Sequence, residues 1–74
     1  LLAQNDQSTS FNAWPVPVSN ELHLNKVMDV AVYDANGLRV KVLRETDRID
    51  MSDLNAGVYY LVNAENETIR VVVE

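Results

Sequence analysis

The sequence predicts an all-β chain, folded as an antiparallel β-sandwich of about seven short strands. Three observations carry this. Apolar segments of strand length, several of them alternating, recur at a spacing of about 8 to 12 residues. Polar turn signals separate them, among them Ser19-Asn20, Asn36-Gly37 and Glu65-Asn66. No stretch has the apolar spacing of an amphipathic helix. A further feature makes the sandwich immunoglobulin-like. Met51 to Val62 reads M-S-D-L-N-A-G-V-Y-Y-L-V, and within it Leu54, Gly57 and Tyr59 form L-x-x-G-x-Y. Sandwiches of that kind use such a pattern at the corner between two late strands, where the tyrosine ring turns inward and its hydroxyl bonds upstream backbone.

In chain order, Leu1 to Ser10 is a polar stretch without strand or helix periodicity after its first three residues, and it reads as a flexible linker. Phe11 to Val18, F-N-A-W-P-V-P-V, reads as a first edge strand with its aromatics in the core. Pro15 and Pro17 hold the chain extended and delete two amide donors, which suits only an edge or a strand-to-loop transition. Glu21 to Leu24 places Leu22 and Leu24 on one face and the single histidine, His23, on the other. Val27 to Tyr33 continues the alternation, with Val30 and Val32 together.

Asp34-Ala35-Asn36-Gly37 then predicts a hairpin, since Asn-Gly accepts the positive φ values of a type I′ turn. Asp34 in this D-x-x-G turn is read as turn chemistry. A calcium loop needs several oxygen ligands at alternate positions, and Ala35 and Gly37 occupy such places. Leu38, Val40 and Val42 are expected to face the core. Arg44 to Arg48, R-E-T-D-R, reads as a charged connection, Ile49 and Met51 as a short strand, and Val58 to Ala64 as a longer one. Asn66-Glu67-Thr68 fits the glycosylation acceptor pattern but serves here as a hairpin tip. The last strand, Thr68 to Val73, is apolar on one face at Ile69, Val71 and Val73, and its final residues are expected to fray.

The totals bound the function. With 74 residues the chain makes one small domain, and without cysteines it has neither a disulfide framework nor a thiolate. A net charge of −5 argues against nucleic acid as a partner, because phosphate binding starts from a basic patch. No apolar run approaches the roughly 20 residues that span a bilayer as a helix. No carboxylate pair, phosphate loop, triad or metal-ligand cluster emerges, so neither catalysis nor a cofactor is expected. The polar opening, without an initial methionine, reads as the edge of a piece of something larger.

Three segments, W-P-V-P-V-S-N-E-L, V-x-V-Y-D-A-N-G-L-R-V and I-D-M-S-D-L-N-A-G-V-Y-Y-L-V, followed by an apolar last strand, resemble the type A C-terminal sorting domain of type IX secretion, a family of the Bacteroidetes. The resemblance covers Phe11 to Glu74, which makes 11–74 the sorting domain and 1–10 its linker. It implies that the domain directs a cargo protein through the periplasm and across the outer membrane to the cell surface or the medium. The implied partners are an outer-membrane translocon, a shuttle and a sortase-like peptidase. That peptidase would remove the domain and anchor the cargo, so the domain is a substrate rather than an enzyme. By this resemblance Pro15 and Pro17 match an early Pro-x-Pro motif, Asp34 and Gly37 the hairpin, and Leu54, Gly57 and Tyr59 the late corner. The tail, Arg70, Val71, Val72, Val73 and Glu74, completes the candidate recognition residues. The chain departs from the family in having Trp14-Pro15-Val16-Pro17 where Tyr-Pro-Asn-Pro is common, and in a tail without lysine. The alternatives are an immunoglobulin-like or fibronectin-like interaction or carbohydrate-binding module, and a sorting-type domain retained in a component of the secretion machinery.

Overall fold

A computed structural model describes residues 11–74. The linker expected over 1–10 lies outside the described residues. The architecture is all-β: β1 (Ala13–Trp14), β2 (Glu21–Asp34), β3 (Arg39–Asp50), β4 (Gly57–Asn63) and β5 (Thr68–Val73). They form one antiparallel, curled sheet of five strands, not a sandwich of seven.

The difference arises in β2 and β3. The segments expected as separate strands at 21–24 and 27–33 are one strand of 14 residues, and the alternating Leu38 to Val42 and the short strand at Ile49 and Met51 are joined by one strand of 12. Their polar interruptions are absorbed by register shifts between His23 and Met28 and between Met28 and Val30. Opposite them, Glu45 takes a positive φ of 49° and donates its amide to the Asp29 carboxylate at 2.9 Å. Bulges of this kind bend a strand without ending it. The charged run Arg44 to Arg48 therefore belongs to a strand and is not a connection.

The bend turns the sheet around a single core. β3 follows one edge of β2 along its length, while the other edge is shared: β1 pairs its first half and β4 its second. Leu22, Leu24 and Ile49 from the first half meet Val30, Val32, Leu61, Val71 and Val73 from the second, with Val18, Met51, Phe11 and Tyr59 completing the cluster. The period-2 reading of β2 and β5 was correct in every buried position. It failed for Leu38, Val40 and Val42, which are exposed. The shift between Val32 and Tyr33 places Lys41 rather than Val40 opposite Val32, so Val42 sits opposite Ala31 on the far face while Leu43 turns to the core.

The first segment departs further from expectation. Only Ala13 and Trp14 pair, both Trp14–Pro15 and Val16–Pro17 peptide bonds are cis, and Trp14 is 48% exposed. Its ring lies 6.2 Å from that of His23, stacked, instead of in the core. Phe11 alone of the two aromatics is buried.

The two hairpins share one construction. Asp34 Oδ1 accepts from the amides of Asn36 and Leu38 at 2.9 and 3.0 Å, and Asn63 Oδ1 accepts from those of Glu65 and Glu67 at 3.0 and 2.9 Å. The fourth residue of each, Gly37 at φ 83° and Asn66 at φ 63°, takes the left-handed conformation. The expected type I′ turn is thereby replaced. That turn needs positive φ at both Asn36 and Gly37, whereas Asn36 does not have it, as in a three-residue loop with a glycine bulge. An added Cβ at Gly37 would meet nothing within 4 Å, so the constraint is conformational. Gly37→Ala should cost about 1–2 kcal/mol and lower the thermal midpoint by about 4–8 °C per kcal/mol, read from circular-dichroism melts.

Candidate functional site

The candidate residues are spread over most of the sequence, yet the sheet gathers most of them at one end. Gly57 pairs with Val73, Val58 with Val72 and Tyr59 with Val71, so the corner motif is the immediate neighbour of the tail. Asp34 pairs with Tyr59, which brings the first hairpin to the same end. On the other side of the tail, Val18 follows Pro17 and forms a parallel bridge to Val73: its amide donates to the Val72 carbonyl at 2.8 Å, and its carbonyl accepts from the Glu74 amide at 2.9 Å. Pro15 and Pro17 are exposed, and they lead directly into the residue that bonds the tail.

The corner is built as the sequence predicts. Tyr59 is 8% exposed, and its hydroxyl donates to the Asn55 carbonyl at 2.8 Å. Gly57 has φ 155°, which L side chains rarely adopt, and it opens β4 in a place with open space around it. Leu54 packs half-buried against the core, and its amide closes a turn onto the Met51 carbonyl at 3.2 Å. Two contacts hold the segment over the rest of the domain: the Met51 amide donates to the Asn20 carbonyl at 2.7 Å, and Lys41 Nζ lies 2.9 Å from Asp53. At the segment's start, the Ser52 hydroxyl and amide both donate to Asp50, which holds that carboxyl below its usual range; Lys41 adds a smaller charge effect in the same direction.

The tail is a core strand and an edge at once. Val71 and Val73 are buried at 0% and 2% exposure. In an antiparallel pair, alternate residues turn their amide and carbonyl away from the partner. The Val18 contacts show that Val72 and Glu74 do so, and the unbroken register from Gly57–Val73 to Val62–Thr68 extends the alternation to Arg70 and Thr68. Val18 thus covers the far end of this edge, and Thr68 and Arg70 keep outward-facing backbone groups. Among the described residues, none of these candidates joins a cluster of acidic or histidine side chains that could hold a metal.

Sequence reasoning missed Val18 as a partner of the tail, because nothing in a single valine after two prolines specifies a contact at the opposite terminus. It placed the second hairpin but missed the Asn63 side chain that caps it. The repeated spacing, Asp34 to Gly37 and Asn63 to Asn66, is a signal that could have found it.

Neither the search of curated proteins nor that of solved structures found a match. The scan against protein families did: the description of a secretion system C-terminal sorting domain matches residues 12–74, from the first segment through the tail. It covers Pro15 to Val18, the strap that ends on the tail, as well as both hairpins, the corner and the last strand, and by it the chain belongs to the secretion system C-terminal sorting domain family, a C-terminal sorting signal of type IX secretion that implies export across the outer membrane.

Proposed function

We propose that this domain is the address of a cargo protein, carried through the periplasm and read at the outer membrane by the type IX translocon and its shuttle through the open edge of β5. The family match over residues 12–74 supports the address. The edge reading rests on the outward-facing backbone at Thr68 and Arg70, beside a tail whose Val71 and Val73 side chains are already committed to the core. A partner strand can add to such an edge through main-chain hydrogen bonds. In this reading a sortase-like peptidase then cuts upstream of Phe11 and anchors the freed cargo, and the domain is its substrate and no enzyme.

The edge can be tested without disturbing the ladder to β4. Arg70→Pro deletes an amide that points away from β4, which an edge strand tolerates. Arg70→Ala keeps that amide and loses the charge. A reporter fused to the intact domain should reach the surface of a bacterium with type IX secretion, and the Arg70→Ala fusion should follow it. The Arg70→Pro fusion, folded by circular dichroism, should remain in the periplasm. Retention of the intact fusion would overturn the address. Export of the proline variant, or equal loss with alanine, would overturn the edge reading alone.

A further inference from the structure

The far face of the sheet, opposite the core, is not the polar face that an antiparallel sheet usually turns to water. The register lays out its rows. Arg39 pairs with Tyr33, Tyr33 with Tyr60 and Tyr60 with Arg70, which makes a transverse stripe of two tyrosines ended by two arginines. On one side of it the next row is Val42, Ala31, Val62 and Thr68; on the other lie Val58 and Val72. Ala31 is the short side chain between two valines, and over it runs an open groove of about 340 Å³ that continues to Arg44. Val42 is 54% exposed, the tyrosines are half-buried, and neither tyrosine hydroxyl has a partner among the described residues.

The charges around this face are of one kind in their availability. Lys41 and Arg48 each sit beside a carboxylate, whereas Arg39, Arg44 and Arg70 have none within ion-pair reach among the described residues. Carboxylates border the face at its ends: Asp29, whose Oδ1 already accepts from the Glu45 amide, Glu65, which lines the adjoining hollow with Asp29 and Ala64, and Glu74 beyond Val72. A chain with 11 acidic and 6 basic residues therefore exposes unpaired guanidiniums around an apolar outer surface. Apolar and aromatic centres ringed by arginine have the anatomy of protein docking patches.

Size narrows the occupant. Three strand spacings separate Arg39 from Arg70, about 14 Å, and the rows from Val58 to Ala64 run about 20 Å along the strands. A footprint of roughly 300 Å² is well under the roughly 800 Å² that each partner contributes to a stable interface of folded proteins. It fits a short segment. A sugar chain is a poorer match, because it needs flat, exposed aromatic rings and these tyrosines lie between valines.

We propose that this face docks a short acidic segment of a partner protein, with one apolar or aromatic side chain seated in the groove over Ala31 and carboxylates on Arg39, Arg44 and Arg70. The site uses the face of the sheet, so it stands or falls independently of the β5 edge.

A titration of the isotope-labelled 74-residue chain followed by amide NMR tests it, using a random copolymer of glutamate and tyrosine as the probe. The amides of Ala31, Tyr33, Val42, Tyr60 and Val62 should shift, and a lysine–tyrosine copolymer should leave them in place. Arg39→Glu with Arg70→Glu should weaken binding at least tenfold. Ala31→Leu, which fills the groove and leaves every charge alone, should do the same, and it keeps the test open if the double variant loses its amide dispersion. Absence of shifts, shifts confined to other surfaces, undiminished binding by a folded variant, or equal binding of dextran sulfate would each overturn the proposal. So would concentration-dependent shifts of the same amides in the chain alone, which would make a second copy the occupant.

Discussion

Tyr59→Ala should remove a large share of the domain's stability. Emptying a buried aromatic site costs about 3–5 kcal/mol. A chain of this size is stable by roughly 4–11 kcal/mol in all, from the usual range per residue. The ring is 8% exposed, contributes to the core beside Val71, and anchors the corner through its bond to the Asn55 carbonyl. Tyr59→Phe separates the two contributions. It keeps the ring and removes only the hydroxyl, and Asn55 is exposed, so its carbonyl can turn to water; the cost should be about 1 kcal/mol. Urea unfolding of the three proteins measures both. Coincident curves for wild type and alanine variant would show that the corner does not hold the fold.

The second large effect is expected at the tail. Removing Val73 and Glu74 deletes a side chain that is 2% exposed and the amide that donates to the Val18 carbonyl. Burial of a valine contributes about 1.5–3 kcal/mol, and the hydrogen bond about 1 kcal/mol more. The truncated domain should melt roughly 10–30 °C lower, at about 4–8 °C per kcal/mol. Deleting Glu74 alone should cost only the hydrogen bond. An unchanged midpoint after the double deletion would mean that the strap does not stabilise the tail. The strand end that the sequence marks as fraying is therefore part of the core. A secretion assay on the truncated form would confuse an unread signal with an unfolded one, whereas Arg70→Pro avoids the problem.

The residues legible in the sequence were those whose roles are local. Tyr59 and Gly57 were placed because a tyrosine two residues after a turn glycine has one sensible destination. Asp34 and Gly37 were placed because the loop between two β-branched runs is short enough for its chemistry to be written in four residues. Leu22, Leu24, Val30 and Val32 followed from period two. What failed depended on distant partners. The bulges near Asp29 and Glu45 turn a polar run into strand only because the opposite strand supplies Asp29 to hold the Glu45 amide. Val42 looks like a core residue in its own segment, and a shift by one residue against β2 sends it to the other face. Trp14 looked like core by composition, but its pairing opposite His23 stacks it on that ring and leaves it exposed. In the candidate site, the members could be named from the sequence. Their convergence on one end could not, because it rests on the pairing of β4 with β5 and on Val18.

The Val18 bridge also has a meaning in time. It joins nearly the first described residues of the domain to the last, so the strap has no place to settle until the final strand of this domain has been made. Contacts that close so long a stretch of chain form late, since the entropy of closure must be met before they return any stability. A chain interrupted before β5 would have β4 bare along one side, Val18 without a seat, and Val71 and Val73 missing from the interior. Such an intermediate resembles a recruiter of other strands more than a finished domain. The edge at Thr68 and Arg70 consequently exists only in a chain whose synthesis has passed that point. A machine that reads it would be counting completed domains.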